Sequence, residues 1–271
     1  MLEKLRLDDR AIVVTGSGRG LGKAMAKALA KAGGSVVCSA RTQSQIDQTV
    51  AEITADGGIA VAQQCDVTDS SQVDKLVDRC IAAFGKIDVM IANAGGGAVR
   101  GNWEFWEYPD DAFETVLATN LKSNFYCARA AAKFMVKRGQ GGVIIHTASG
   151  TALRGNRTFA YPAAKGGQIS LAKSTATMLA PYRIRVNTII PGFVAQEPAK
   201  SEEEEKVRAL GGARIPVRRL GEWWELGPLA VYLASDASAY VTGQSFIIDG
   251  GGLAGGLGPV EFVPRGMNDD R

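Results

Sequence analysis

The chain has 271 residues, of which 31 are Lys or Arg and 28 are Asp or Glu, for a net charge of +3 at pH 7. A balance so near neutral argues against the basic footprint of a nucleic-acid binder, and an apolar share of 46% can build a core that needs neither disulfide nor metal. With 33 Gly and 9 Pro the composition is not that of low-complexity disorder, and a single domain over 1–271 is expected.

Met1-Leu2-Glu3-Lys4 turns charged before an apolar run can form, and no run of about 18 apolar residues follows, so neither secretion nor membrane spanning is expected. Residues 11–15 (AIVVT) are a short β-branched run between a charge and a glycine, the pattern of a strand buried on both faces of a parallel sheet. Runs of the same kind recur at 35–39, 59–65, 87–92, 142–147, 184–190 and 245–248. Between them, stretches such as 21–32, 43–55, 71–84 and 160–180 space their apolar residues three and four apart, as helices do. This alternation predicts an α/β Rossmann fold: a doubly wound parallel sheet of about seven strands with helices on both faces and ligands at the carboxyl ends of the strands. Residues 193–220 break the rhythm with Glu202 to Glu205 and a Gly211-Gly212 pair, and read either as a substrate lid or as a solvated surface helix. The glycine-rich tail 253–271 reads as an arm toward a neighbouring subunit or as a disordered end.

Between the first strand and the first helix stands Thr15-Gly16-Ser17-Gly18-Arg19-Gly20-Leu21-Gly22. Glycines there let the backbone turn sharply and approach a pyrophosphate held at the helix N-terminus. Dinucleotide folds place an acid at the end of the second strand to accept the adenosine ribose hydroxyls. Here the strand ends Ser39-Ala40-Arg41, and Arg19 and Arg41 supply two fork-shaped cations suited to a 2′-phosphate. NADP(H) is therefore expected over NAD(H). Tyr161 and Lys165, four apart at the start of a helical run, share a face about 5 to 6 Å apart at Cβ. An ammonium so placed is expected to lower the phenol's pKa from about 10. Ser149 ends the run Val143 to Ser149, at the edge where such a sheet has its crevice.

The TGxxxGxG spacing, Ser149, Tyr161 and Lys165 together resemble the short-chain dehydrogenase/reductase (SDR) family, and within it the 3-oxoacyl-(acyl-carrier-protein) reductases. Over about residues 8 to 252 further motifs match it. Asp66 and Val67 resemble the step against the adenine; Asn93, Ala94 and Gly95 resemble the family's NNAG, with Ala92 in place of the first Asn. Arg185 to Gly192 resembles RVNxxxPG, so that Pro191, Gly192 and Val194 border the nicotinamide, with Gln196 where a Thr often stands. The resemblance implies a catalytic set of Asn120, Ser149, Tyr161 and Lys165. Tyr161 moves the proton, Ser149 orients the substrate oxygen, Lys165 also holds the nicotinamide ribose, and Asn120 holds a water that links the lysine to solvent. It further implies cofactor contacts from Gly16, Ser17, Gly18, Arg19, Gly20, Leu21 and Arg41, a small carbonyl or alcohol substrate, and a homotetramer. A sensor or scaffold that binds a dinucleotide without turnover is the alternative, and it has no need of the four catalytic residues together.

Other features read as structural. Cys38, Cys65, Cys80 and Cys127 lie in apolar stretches without CxxC spacing, as reduced core thiols of a cytoplasmic protein, and no metal site is expected. His146, the only histidine, reads as a satisfied core imidazole. Arg129, Lys133 and Lys137 form one helical face, read as solvated rather than as a dock for an acidic carrier protein. Trp103, Phe105 and Trp106 read as a substrate wall or a subunit contact, and Trp223 and Trp224 as a contact too.

Overall fold

Strand β1 (Ala11–Thr15) is buried along its whole length, and its alternating side chains feed two separate cores. Ala11 and Val13 join Val37, Met90, Ile144 and Val186 on one side of the sheet. Ile12 and Val14 join Val36, Cys38, Ile91 and Ile145 on the other. A strand enclosed on both faces has no polar positions to alternate, which is why the sequence shows continuous apolar runs. The computed structural model describes residues 2–96, 103–154 and 159–255.

Seven parallel strands lie in the order β3-β2-β1-β4-β5-β6-β7. After β1 come β2 (Ser35–Ala40), β3 (Ile59–Gln64), β4 (Val89–Ala92), β5 (Gly142–Thr147), β6 (Ile184–Pro191) and β7 (Ser245–Ile248). Val13 sits beside Val37 and Met90, and Ile145 beside Asn187. The order reverses between β1 and β4, the switch point where an open sheet leaves a crevice.

Helices α1 (Gly20–Lys31), α2 (Gln43–Ala55) and α8 (Leu226–Ala234) cover one face. Helices α3 (Ser70–Phe84), α5 (Ser123–Arg138) and α6 (Ala160–Leu179) cover the other. Helix α4 (Asp110–Leu117) runs into α5 through a wider π-type turn, Ala118–Lys122. Within residues 193–220, α7 (Glu202–Gly212) ends at the glycine pair. Ser201 caps it by accepting from the Glu204 N–H, and four glutamates in its first turn complement the helix dipole.

Two strands are shorter than their expected runs: β3 ends at Gln64 and β4 starts at Val89. Just before β4 the Asp88 carboxylate accepts from the Ala11 N–H at 2.9 Å and pairs with Arg138 at 2.8 Å. All four cysteines are unpaired and buried. Burial pushes the thiols of Cys38, Cys80 and Cys127 up to about 12 and that of Cys65 to about 11. Among the described residues no helix is long and apolar enough to cross a membrane. Most of the tail (256–271) and part of the substrate-side loop (97–102) lie outside the described residues.

Candidate active site

The glycine loop joins β1 to α1 over the carboxyl end of the sheet, and its geometry leaves no room for side chains. Gly16 has φ +68°, and a Cβ there would lie 2.9 Å from the Ala94 Cα. A Cβ on Gly22 would strike the Gly16 carbonyl. Asn93 fastens the loop from β4: its Nδ2 donates to the Thr15 carbonyl at 2.9 Å, while the Thr15 hydroxyl accepts from the N–H groups of Asn93 and Ala94, each at 3.0 Å.

Two cavities open on this loop. One, of about 320 Å³, is lined by Gly16, Gly18, Arg19, Ala40, Arg41, Asp66, Val67, Ala94 and Gly95. The other, of about 530 Å³, shares Gly16, Arg19, Ala94 and Gly95 with it and adds Leu21, Asn93, Ser149, Tyr161, Lys165, Pro191 and Gly192. The residues expected from sequence thus come together from β1, β2, β4, β5, α6 and β6. Four stand apart from the lining: Asn120, described below, and Ser17, Val194 and Gly20. Ser17 is fully buried and stitches β1 to β2, its hydroxyl donating to the Val14 carbonyl at 2.9 Å and accepting from the Ser39 N–H at 2.7 Å. Val194 packs on the core beneath and pairs with Gly221, which turns it from both cavities. Gly20, with φ +56°, faces the side chain of Gln196.

No acid occupies the end of β2. Ala40 and Arg41 stand there, and neither Arg19 nor Arg41 forms an ion pair among the described residues. The segment 193–220 contributes Gln196, Glu197, Lys200, Glu204 and Arg208 to the wider cavity, with Arg208 paired to Glu204 at 2.7 Å.

Tyr161 and Lys165 project from the first turns of α6, and the Lys165 Nζ lies 5.6 Å from the centre of the Tyr161 ring. Ser149, at the end of the β5 segment, hydrogen-bonds Tyr161 and accepts from the Thr151 hydroxyl at 3.0 Å. The ionisation of the pair differs from the expectation above. Burial pushes the Tyr161 phenol up, with the Ser149 hydrogen bond pulling the other way. Burial also brings Lys165 down to about 7, so the ammonium expected to lower the phenol is itself weakened in the protein alone. Desolvation outweighs the pairing because Lys165 has no carboxylate beside it: it donates to the Thr147 carbonyl at 2.8 Å and to the Gln168 Oε1 at 3.4 Å.

Asn120 sits in the π-type turn, fully buried. Its Nδ2 donates to the Val116 carbonyl at 3.0 Å and its Oδ1 accepts from the Gly96 N–H at 3.2 Å. The wider turn frees the Asn120 carbonyl, which accepts from the Asn124 Nδ2 at 2.9 Å and from the Gln168 Nε2. Gln168 thereby ties the lysine to the turn. Asn124 in turn accepts with Oδ1 from His146 Nδ1 at 2.9 Å, which assigns the ring proton to Nδ1. His146 Nε2 has no partner among the described residues, so the imidazole is only half satisfied, and burial, with Lys165 nearby, lowers it to about 4. Gln168 and Asn124 were not singled out from sequence, although a Gln one turn past Lys165 on a buried face was the available signal.

The aromatic segment packs on itself. Trp103 meets Tyr108 edge-on at 5.3 Å, and Phe105 and Tyr108 meet Phe159 at 4.9 and 4.6 Å, beside the start of α6. Trp106 and Trp224 stay exposed. Arg129 stacks over Phe125 and Tyr126 at 5.2 and 5.4 Å.

Comparison with known proteins agrees with this architecture. The model of a family described as enoyl-(acyl carrier protein) reductase matches residues 16–252. L-rhamnose 1-dehydrogenase (NAD(P)(+)) of Azotobacter vinelandii is 37% identical over 253 residues, 90% of this chain and 97% of the relative. A 3-oxoacyl-(acyl-carrier-protein) reductase of Synechocystis is 36% identical over 248 residues, 90% of this chain and 97% of the relative. The crystal structure of a short-chain type dehydrogenase/reductase from Mycobacterium marinum superposes with a TM-score of 0.84 at 36% identity, covering 92% of this chain and 97% of the other. With its seven-stranded parallel sheet and a match over most of its length, the chain belongs to the short-chain dehydrogenase/reductase family of oxidoreductases.

Proposed function

We propose that the protein is an NADP(H)-dependent oxidoreductase that interconverts a carbonyl and a secondary alcohol on a small molecule. The observation that carries this reading is that Ser149, Tyr161 and Lys165 line the same cavity as Gly16 and Arg19 of the glycine loop. The residues fit a dinucleotide: bare glycines leave room at the N-terminus of α1 for phosphates, and Arg19 and Arg41 flank the end of β2 where a 2′-phosphate would lie. When bound, the nicotinamide supplies hydride to a carbonyl carbon or removes it from a carbinol carbon.

The side chains do the rest. In reduction Tyr161 donates its phenolic proton to the developing alkoxide; in oxidation its phenolate takes the alcohol proton. Ser149 shares a hydrogen bond with Tyr161 and orients the substrate oxygen beside it. Lys165 returns charge to the phenol, and Asn120 fixes the turn behind it through Gly96 and Gln168. Burial favours the neutral form of both phenol and amine, so in the protein alone the phenol holds its proton, ready for delivery in reduction. A scaffold that merely held a dinucleotide would gain nothing from keeping a lysine buried without a carboxylate.

The same reading takes the protein as a cytoplasmic homotetramer. Unpaired buried thiols support the compartment, and Phe125 on α5 and Met178 on α6, exposed apolar side chains on helices that pack the same face, support subunit packing. The test is a panel of ketones, 3-oxoacyl thioesters, sugars and steroids assayed with NADPH and with NADH. Reduction of one of them with NADPH favoured supports the reading; no turnover and no NADPH binding refutes it.

A further inference from the structure

Beside the catalytic cavity lies a third, of about 190 Å³, whose walls include Ser149, Gly150, Thr151, Arg154, Phe193 and Leu253. It touches the reacting end of the site through Ser149 and is otherwise mostly apolar, with Pro191, Gly192 and Phe193 on one side. A guanidinium set in such a wall offers an anion a charged, planar binding point.

Arg154 supplies it. Its guanidinium carbon lies over the Phe193 ring, 5.2 Å from the ring centre, within cation–π range. Among the described residues no carboxylate pairs with it. The acid on this cavity, Asp249, is already committed: Oδ1 accepts from the Gly251 N–H at 2.9 Å and Oδ2 from the Leu253 N–H at 2.7 Å. The sequence withholds partners as well. Between Glu114 and Glu197 there is no Asp or Glu, and this stretch contains Ser149, Arg154, Tyr161 and Lys165. Of the acids lining the wider cavity, Glu204 pairs with Arg208 at 2.7 Å and Glu197 with Lys200 at 3.5 Å.

We propose that Arg154 binds the substrate and that the substrate is an oxo or hydroxy acid, its carboxylate held by Arg154 while its carbonyl or carbinol oxygen lies against Ser149 and Tyr161. A carboxylate matches the planar fork of a single guanidinium with two parallel hydrogen bonds and one opposite charge. Phe193 and Leu253 then flank the carbon chain between the two ends. This deepens the oxidoreductase reading above and rests on it.

The test uses matched pairs that share a carbonyl and differ in charge: acetoacetate, 4-oxopentanoate and 5-oxohexanoate, each against its methyl ester, with NADPH and the full-length protein. The wild type should reduce at least one acid with kcat/KM about tenfold or more above its ester, the difference lying in KM. Arg154→Gln should bring that acid-to-ester ratio to about one, and Arg154→Lys, which keeps the charge but not the fork, should keep part of it. The proposal is overturned by esters reduced as well as acids, by an acid preference that survives in Arg154→Gln, or by acids that are neither bound nor reduced. Its failure is distinguishable from failure of the parent reading. Esters or neutral ketones turned over with NADPH and lost in Tyr161→Phe would leave an oxidoreductase without an acid site, whereas no NADPH binding in a fluorescence titration would remove both.

Discussion

Lys165→Met replaces a buried amine with an uncharged side chain of similar length, and the structure sets the size of its effect on stability. Burial brings the amine from 10.5 down to about 7. At ~1.4 kcal/mol per pH unit, that corresponds to ~4 to 5 kcal/mol between the fully protonated and the neutral limits. The unfolded chain keeps the proton on Lys165 up to about pH 10.5, while the folded chain gives it up above about 7. The unfolded state thus binds more protons in this window, so stability rises with pH between about 7 and 10.5 and reaches its lower plateau below 7. The cysteines act oppositely. Their folded values lie near 11 to 12 against an ordinary 9.0, so their contribution is whole below about 9 and is lost as pH climbs toward 12. The clean window is therefore about pH 7.0 to 8.5. Urea unfolding at one protein concentration should show the wild type gaining about 1.5 kcal/mol across it relative to Lys165→Met, with the variant more stable at pH 7 and inactive. Parallel stability profiles for the two proteins would refute the reasoning, since they would mean that the folded amine holds its proton throughout.

Three further outcomes follow from particular contacts. NADPH should be preferred over NADH by about tenfold or more in kcat/KM, ~1.4 kcal/mol, and Arg41→Asp should weaken or invert the preference; an unchanged ratio in steady-state kinetics removes the 2′-phosphate role. Gln168→Leu takes the acceptor from Lys165 and a donor from the Asn120 carbonyl, so the amine loses support for its charged form. It should cost about 1 to 3 kcal/mol of stability and move the pH profile of alcohol oxidation toward higher pH, with Gln168→Glu moving it lower; coincident profiles would make Gln168 a packing residue only. Light scattering should give four times the chain mass, and a concentration-independent monomer would contradict the tetramer.

The sheet was legible because its causes are local. A strand such as β1 shows its two buried faces as an unbroken apolar run, and the helices show theirs by period. Tyr161 and Lys165 were legible as an i, i+4 pair, and the Gly16 to Gly22 spacing as a turn with no room for side chains. What the sequence hid depends on several elements meeting. The π-type turn at Asn120 is held by Gly96, Asn124 and Gln168, and only the second of these is near in the chain. The neutral leaning of Lys165 arises from burial beside the Thr147 carbonyl of β5 and Gln168, which no i, i+4 spacing encodes. The inward turn of Ser17 and of Val194 was hidden likewise, because a place in a motif does not say which way a side chain faces.

The central claim is that Tyr161 moves the proton in a hydride-transfer reaction at this cleft, and Tyr161→Phe tests it most directly because it keeps the ring packed beside Val116 and Ala164 and removes only the hydroxyl. On a substrate the wild type reduces with NADPH, kcat should fall by at least about 100-fold while NADPH affinity, read by fluorescence titration, stays within about threefold. A variant that kept more than about a tenth of wild-type turnover would place the proton on another residue and contradict the account.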